Sequence, residues 1–133
     1  MIVLGKNSSV YKCIVSVLPS HDAISHQDLS SLDICDKLIL VLSHPKNKAG
    51  YKNYLKDLTE LGKKNQLVLV STSGLNGIQD SVRNKYFYLK SKREVEKLIL
   101  QSNGKIIRCG AFFPPAAARG IWFITGKHDF VDI

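Results

Sequence analysis

Lys37-Leu38-Ile39-Leu40-Val41-Leu42-Ser43 is the stretch on which the fold turns. Five consecutive aliphatic residues leave no polar position for a wet face, so such a run reads as a strand buried on both sides. His44-Pro45 closes it, since proline brings no amide proton to a ladder. Tyr51, Tyr54, Leu55, Leu58 and Leu61 then recur at helical spacing, which predicts an amphipathic helix from Tyr51 to Leu61 ended by Gly62. A second apolar run, Gln66 to Val70, leads into Ser71-Thr72-Ser73-Gly74. Strand, helix, strand in close succession is the pattern of parallel strands joined by a crossover.

The same alternation extends outward in both directions. Ile2-Val3-Leu4 ends at Gly5 and predicts a buried first strand. Ser8 to Leu18 places Val10, Ile14, Val17 and Leu18 on one helical face, with Asn7 or Ser8 as N-cap and Pro19 as stop. Asp22 to Ser25 reads as a brief second strand and Ser30-Ser31 as a turn or cap. Beyond Gly74 and Gly77, a long helix is predicted over Val82 to Leu100, ended by Asn103-Gly104. Lys105 to Arg108 is a further strand, and Pro114-Pro115 breaks the regular order. The expectation is an α/β fold: a doubly wound parallel sheet in three α/β/α layers, compressed after the first helix.

Composition bounds the functional classes. A chain of 133 residues, 44% hydrophobic and 23% charged, suits one folded domain with one core, here taken as 1–133. The formal net charge of +8 invites an anionic partner. Yet the basic residues are scattered: Lys46, Lys48, Lys52, Lys56, Lys63 and Lys64 flank or line one helix, and Lys85, Lys90, Lys92, Arg93 and Lys97 another. These read first as solvated helix faces, and second as attraction for a ligand such as a dinucleotide. Aromatics are not interleaved with the basic residues, so no nucleic-acid partner is expected. No apolar run reaches membrane-spanning length, so no membrane partner is expected either. Cys13, Cys35 and Cys109 are isolated and few, which fits a reducing cytoplasm. His21, His26, His44 and His128 show no ligand spacing, so no metal is expected, and Asn7-Ser8-Ser9 matches a glycosylation sequon by chance.

Tyr88-Leu89-Lys90-Ser91-Lys92 carries the chemistry. Tyr88 and Lys92 stand four apart and share a helix face. A free phenol titrates near ~10, and a neighbouring ammonium stabilises its anion, so the pair can exchange a proton with a substrate hydroxyl or carbonyl. Tyr86 and Lys90 satisfy the same spacing. The wider pattern chooses between them: Tyr88, Ser91, Lys92 and Glu96, followed by Lys97-Leu98-Ile99, resembles the Tyr-x-x-Ser-Lys helix of the extended short-chain dehydrogenases/reductases. That group contains NAD-dependent nucleotide-sugar epimerases and dehydratases.

Three further segments support the resemblance in the family's order. Leu67 to Gly77 is similar to its apolar strand ending in a hydroxyl cluster; Thr72 is the match to the catalytic hydroxyl and Ser73 the second choice. Ile106-Ile107-Arg108-Cys109-Gly110-Ala111-Phe112-Phe113-Pro114-Pro115 resembles its Arg-containing strand, with Pro114 where glycine is usual. His128-Asp129-Phe130-Val131-Asp132-Ile133 looks like its Arg-Asp-Phe-Val segment. The resemblance implies a Rossmann-like domain binding NAD or NADP, with Tyr88 as acid/base, Lys92 as its partner and also a cofactor contact, and Thr72 holding the reacting oxygen. Gly5, Lys6, Asn7, Ser8 and Ser9 would hold the pyrophosphate, and Asp28 and Ser43 would complete the cofactor site. It further implies a nucleotide-sugar substrate, surface-polysaccharide synthesis and self-association through the two long helices.

Two departures bear on activity. The family's three glycines correspond to Gly5, Ser8 and Tyr11, so a bulky ring stands where close helix–strand packing is expected. The chain also ends about where the substrate-binding part takes shape, which leaves that part largely absent. Two readings follow: an oxidoreductase- or epimerase-type enzyme, and a non-catalytic Rossmann remnant or regulatory nucleotide-binding module.

Overall fold

The computed structural model describes residues 1–42, 49–72, 87–109 and 130–132. They form β1 (Ile2–Leu4), α1 (Ser9–Ile14) with a 3-10 turn at Val15–Val17, and β2 (Asp22–Ile24) with a 3-10 segment at His26–Ser31. β3 (Leu38–Val41), α2 (Tyr51–Lys64), β4 (Gln66–Thr72), α3 (Phe87–Gln101), β5 (Lys105–Cys109) and β6 (Phe130–Asp132) follow. The sheet has six strands in the order β2-β1-β3-β4-β5-β6, and every neighbouring pair is parallel. The α/β class and the parallel sheet are therefore as the sequence predicts. β6 is a strand that the apolar pattern alone did not mark.

Alternation along the strands sorts the core into two clusters. Leu4, Ile39, Val41, Leu67, Leu69 and Ile106 pack with Leu29, Tyr54 and Leu58 and with Val95 and Ile99, contributed by the 3-10 segment, α2 and α3. Val3, Leu40, Leu42, Val68, Val70 and Ile107 pack with Ile14 and, more peripherally, Val10, Tyr11 and Leu18. Both sides of the strand residues are apolar, which is why their runs show no polar alternation.

Several boundaries differ from the sequence expectation. The first helix gives way to a 3-10 turn at Val15, which rotates Val17 out of the apolar stripe to 40% exposure. Gly62 does not end α2, which runs on to Lys64. A Cβ at Gly62 would lie 2.9 Å from Ser102 Cβ, so the glycine serves the approach of α2 to the end of α3. The start of the helix predicted from Val82 lies outside the described residues up to Phe87.

α3 stops as its sequence predicts. Asn103 adopts φ 55, the Gly104 amide donates to Ile99 O at 2.8 Å, and the Asn103 amide donates to Leu100 O at 3.2 Å. This paired closure is the Schellman arrangement, with asparagine at the left-handed position. A Cβ at Gly104 would stand 2.7 Å from Ile99 O and 2.9 Å from Leu67 O, so the glycine lets α3 turn directly into β5.

One buried side chain ties the start of β3 to the end of α2. Asn65 accepts from the Lys37 amide at 3.0 Å and donates to Ile34 O at 2.9 Å and Leu61 O at 3.0 Å. Asn65→Ala strands an amide and two carbonyls where only 8% of the residue surface is wet. The expected loss in urea unfolding is about 1–3 kcal/mol, with Asn65→Asp at least as damaging because it sets a carboxylate against the carbonyls.

Candidate functional site

In a parallel sheet all strands finish at one edge, and ligands bind where the winding direction reverses. Here β1 leads to β2 on one side, and the chain then passes β1 to place β3 on the other. The reversal lies between β1 and β3, where the Leu42 amide donates to Leu4 O at 2.9 Å.

The β1–α1 turn opens at this point. Gly5 is buried and adopts φ 121, a region that side chains rarely enter. Its amide and that of Lys6 both donate to Ile24 O, at 2.8 and 3.1 Å, so these two donors are taken up by β2. The Ser8 amide donates to Gly5 O at 3.0 Å, and Ser8 Oγ accepts from the Tyr11 amide at 3.0 Å as the N-cap of α1. Lys6 and Asn7 are exposed, and Ser9 is the first residue of α1. Tyr11 packs at the margin of the core cluster beside α1, and its hydroxyl meets His21 Nε2 at 2.9 Å. His21 Nδ1 lies 2.7 Å from Pro19 O, an acceptor only; in the neutral ring Nδ1 therefore carries the proton and Nε2 accepts from Tyr11. Tyr11 thus links α1 to the segment leading into β2.

The other expected residues distribute along the same edge. Asp28 is exposed within the 3-10 segment after β2. Ser43 lies outside the described residues, as does Ser73. Thr72 is the last residue of β4, in register with Cys109 of β5. Tyr88 is the second residue of α3, and Lys92 stands one turn further on, partly buried. The start of α3 follows the carboxyl end of β4, so the edge that carries the β1–α1 turn also carries this pair.

Sequence reasoning passed over the polar groups that hold α3. Arg108 of β5 donates to Glu96 through two nitrogens, Nε to Oε1 at 3.1 Å and Nη2 to Oε2 at 2.7 Å. The Glu96 side chain is 7% exposed and that of Arg108 22%. Tyr51, at the start of α2, donates to Glu94 Oε2 at 2.6 Å and lies 3.2 Å from Ser91 O. Burial, with the Glu94 hydrogen bond and charge adding to it, holds the Tyr51 hydroxyl well above the usual phenol range. Ser71 shares the face of Leu67 and Leu69, is in register with Arg108, and has a buried hydroxyl that finds no partner among the described residues. Strand alternation from Leu67 would have singled out Ser71; the pairs of α3 had no local signal, since their members stand 12 and 43 residues apart.

Among the described residues no three His, Cys, Asp or Glu side chains gather as a metal site, and no helix is long and apolar enough to cross a membrane. A groove of about 550 Å³ runs between α2 and α3, lined by Thr59, Lys63, Glu94, Lys97, Leu98 and Gln101 among others. It lies on the helix surface, away from the β1–α1 turn. Compared with protein-family models, curated proteins and solved structures, the chain matches none.

The ion pair yields a direct test. Arg108→Ala leaves Glu96 charged and buried, and is expected to cost about 3 kcal/mol, the low end for breaking a buried pair because Arg108 retains some solvent. The paired change Glu96→Gln with Arg108→Gln leaves no lone charge and is expected to cost less than Arg108→Ala in the same urea titration.

Proposed function

We propose that this chain is a Rossmann-like nucleotide-binding domain, doubly wound in three layers, that acts as a short-chain dehydrogenase/reductase on a nucleotide sugar in the cytoplasm. The carrying observation is the reversal of winding between β1 and β3, with Gly5 at φ 121 on its rim. NAD or NADP would lie along this edge, its pyrophosphate against the β1–α1 turn near Lys6, Asn7, Ser8 and Ser9. Asp28 and Ser43 would lie toward the adenosine half. The cofactor would supply hydride transfer. Of the protein groups, Tyr88 would exchange the proton at the reacting oxygen, Lys92 would stabilise its phenolate, and Thr72 would hold the oxygen. Epimerase, dehydratase and reductase chemistry share these steps, and surface-polysaccharide synthesis is the setting that the resemblance implies.

One observation favours the second reading, a regulatory or remnant module without turnover. Gly5 and Lys6 both spend their amides on Ile24 O, which narrows the set of donors for a pyrophosphate. Titration with NADH and NADPH, followed by nicotinamide fluorescence, separates the cases. Saturable binding that is lost in Gly5→Trp, with Tyr88→Phe then abolishing turnover but not binding, is the outcome expected of the enzyme. Binding that survives without any turnover favours the regulatory module, and no binding of either cofactor favours the remnant.

The α2–α3 surface is the proposed self-association face. Equilibrium sedimentation is expected to show a dimer or larger assembly, dissociated by Leu98→Glu in the groove; a monomer at all concentrations would remove this part of the proposal.

A further inference from the structure

We infer that the Glu96–Arg108 pair is a positioning device: it sets the rotation of α3 about its own axis and so directs Lys92 and Tyr88 at the carboxyl edge of β4. This rests on the reading of Tyr88 and Lys92 as a proton-transfer pair.

Helix geometry supplies the link. Each step of four residues drifts only ~40° around a helix, so positions 88, 92 and 96 form one slowly turning stripe. Glu96, a member of that stripe, meets a charged partner on the sheet. Both carboxylate oxygens meet the Arg108 fork, a geometry that constrains orientation as well as distance. Residue 94 points ~160° away from residue 96, and it is held by Tyr51 of α2. α3 is thus gripped on opposite sides within a single turn, by β5 and by α2. Val95 and Ile99 pack into the core between these grips, and the directional hydrogen bonds add to the orientation that this packing gives.

Stability alone does not account for the pair. Two apolar residues of similar volume commonly stabilise such a position as well or better. What apolar residues lack is the direction imposed by two N–H···O bonds. The charged and titratable groups of this stretch, among the described residues, are Lys90, Lys92, Arg93, Glu94, Glu96 and Lys97 on α3, Arg108 from β5, and Tyr51 and Tyr54 from α2. The paired neutral substitution Glu96→Gln with Arg108→Gln removes opposite charges together and leaves the net charge as it was.

The test is the phenol titration of Tyr88, followed by NMR of ring-labelled tyrosine, with Tyr88→Phe identifying its signal among the five tyrosines. In the unaltered protein Tyr88 is expected to titrate below the ordinary phenol value of ~10. In the paired variant it is expected to move up by about one unit as Lys92 loses its direction, with helix content by circular dichroism unchanged. A Tyr88 titration that stays put in the folded paired variant overturns the inference. An ordinary titration in the unaltered protein instead refutes the proton-transfer reading, and the positioning role falls with it. Should the paired variant not fold, Arg108→Lys keeps the charge without the two-point fork; a smaller upward shift supports the inference and an unchanged titration overturns it.

Discussion

Burial of the parallel strands on both faces is the constraint from which the rest follows. A strand with two apolar faces must be covered on each, and parallel neighbours cannot be joined by a tight hairpin. The chain therefore returns across the sheet between strands, through α1, the 3-10 segment, α2 and α3. Each return delivers it to the same starting edge, so every strand finishes at the opposite one. The β1–α1 turn, the end of β4 and the start of α3 share that edge because of the winding, although they are distant in sequence.

Within this frame, polar groups tie neighbouring elements to one another around an apolar core. Asn65 joins the start of β3 to the last turn of α2, and Gly104 lets α3 close directly onto β5. At the carboxyl edge Tyr51, Glu94, Glu96 and Arg108 hold α3 from two sides. Ser71, near the end of β4, is the exception, a buried hydroxyl that finds no partner among the described residues. It stands directly in register with Arg108.

The β1–α1 turn combines two demands that are in tension. Gly5 provides the unusual backbone angle needed to leave β1 sharply. The donors released by that turn are then partly used by Ile24 O, which fastens the short β2 beside β1. With β2 only three residues long, those added bonds extend a weak edge pairing. Tyr11 contributes to the same end, because its hydroxyl reaches His21 just before β2. The compressed region after the first helix is thus fastened by residues of the β1–α1 turn and of α1.

The sequence by itself determined most of the strands and their succession along the chain, because Leu38 to Leu42, Leu67 to Val70 and Ile2 to Leu4 are apolar without interruption and admit few alternatives. It also determined the stop of α3, since Asn103-Gly104 encodes a left-handed closure locally. It did not determine the length of α2. Gly62 carries the local signal of a helix end, but its lack of a side chain is used for contact with Ser102, and only the packed structure shows that. Nor did it mark β6, whose three residues are defined by pairing with β5 rather than by any pattern of their own. For the candidate site, the spacing of Tyr88 and Lys92 is legible because a helix relates positions four apart, and the glycine after β1 is legible because backbone geometry demands it. The winding reversal, the Ile24 O bonds at the turn, the buried Ser71 and the Glu96–Arg108 pair were decided only in three dimensions. Each depends on residues brought together by strand order, and strand order is a property of the whole sheet.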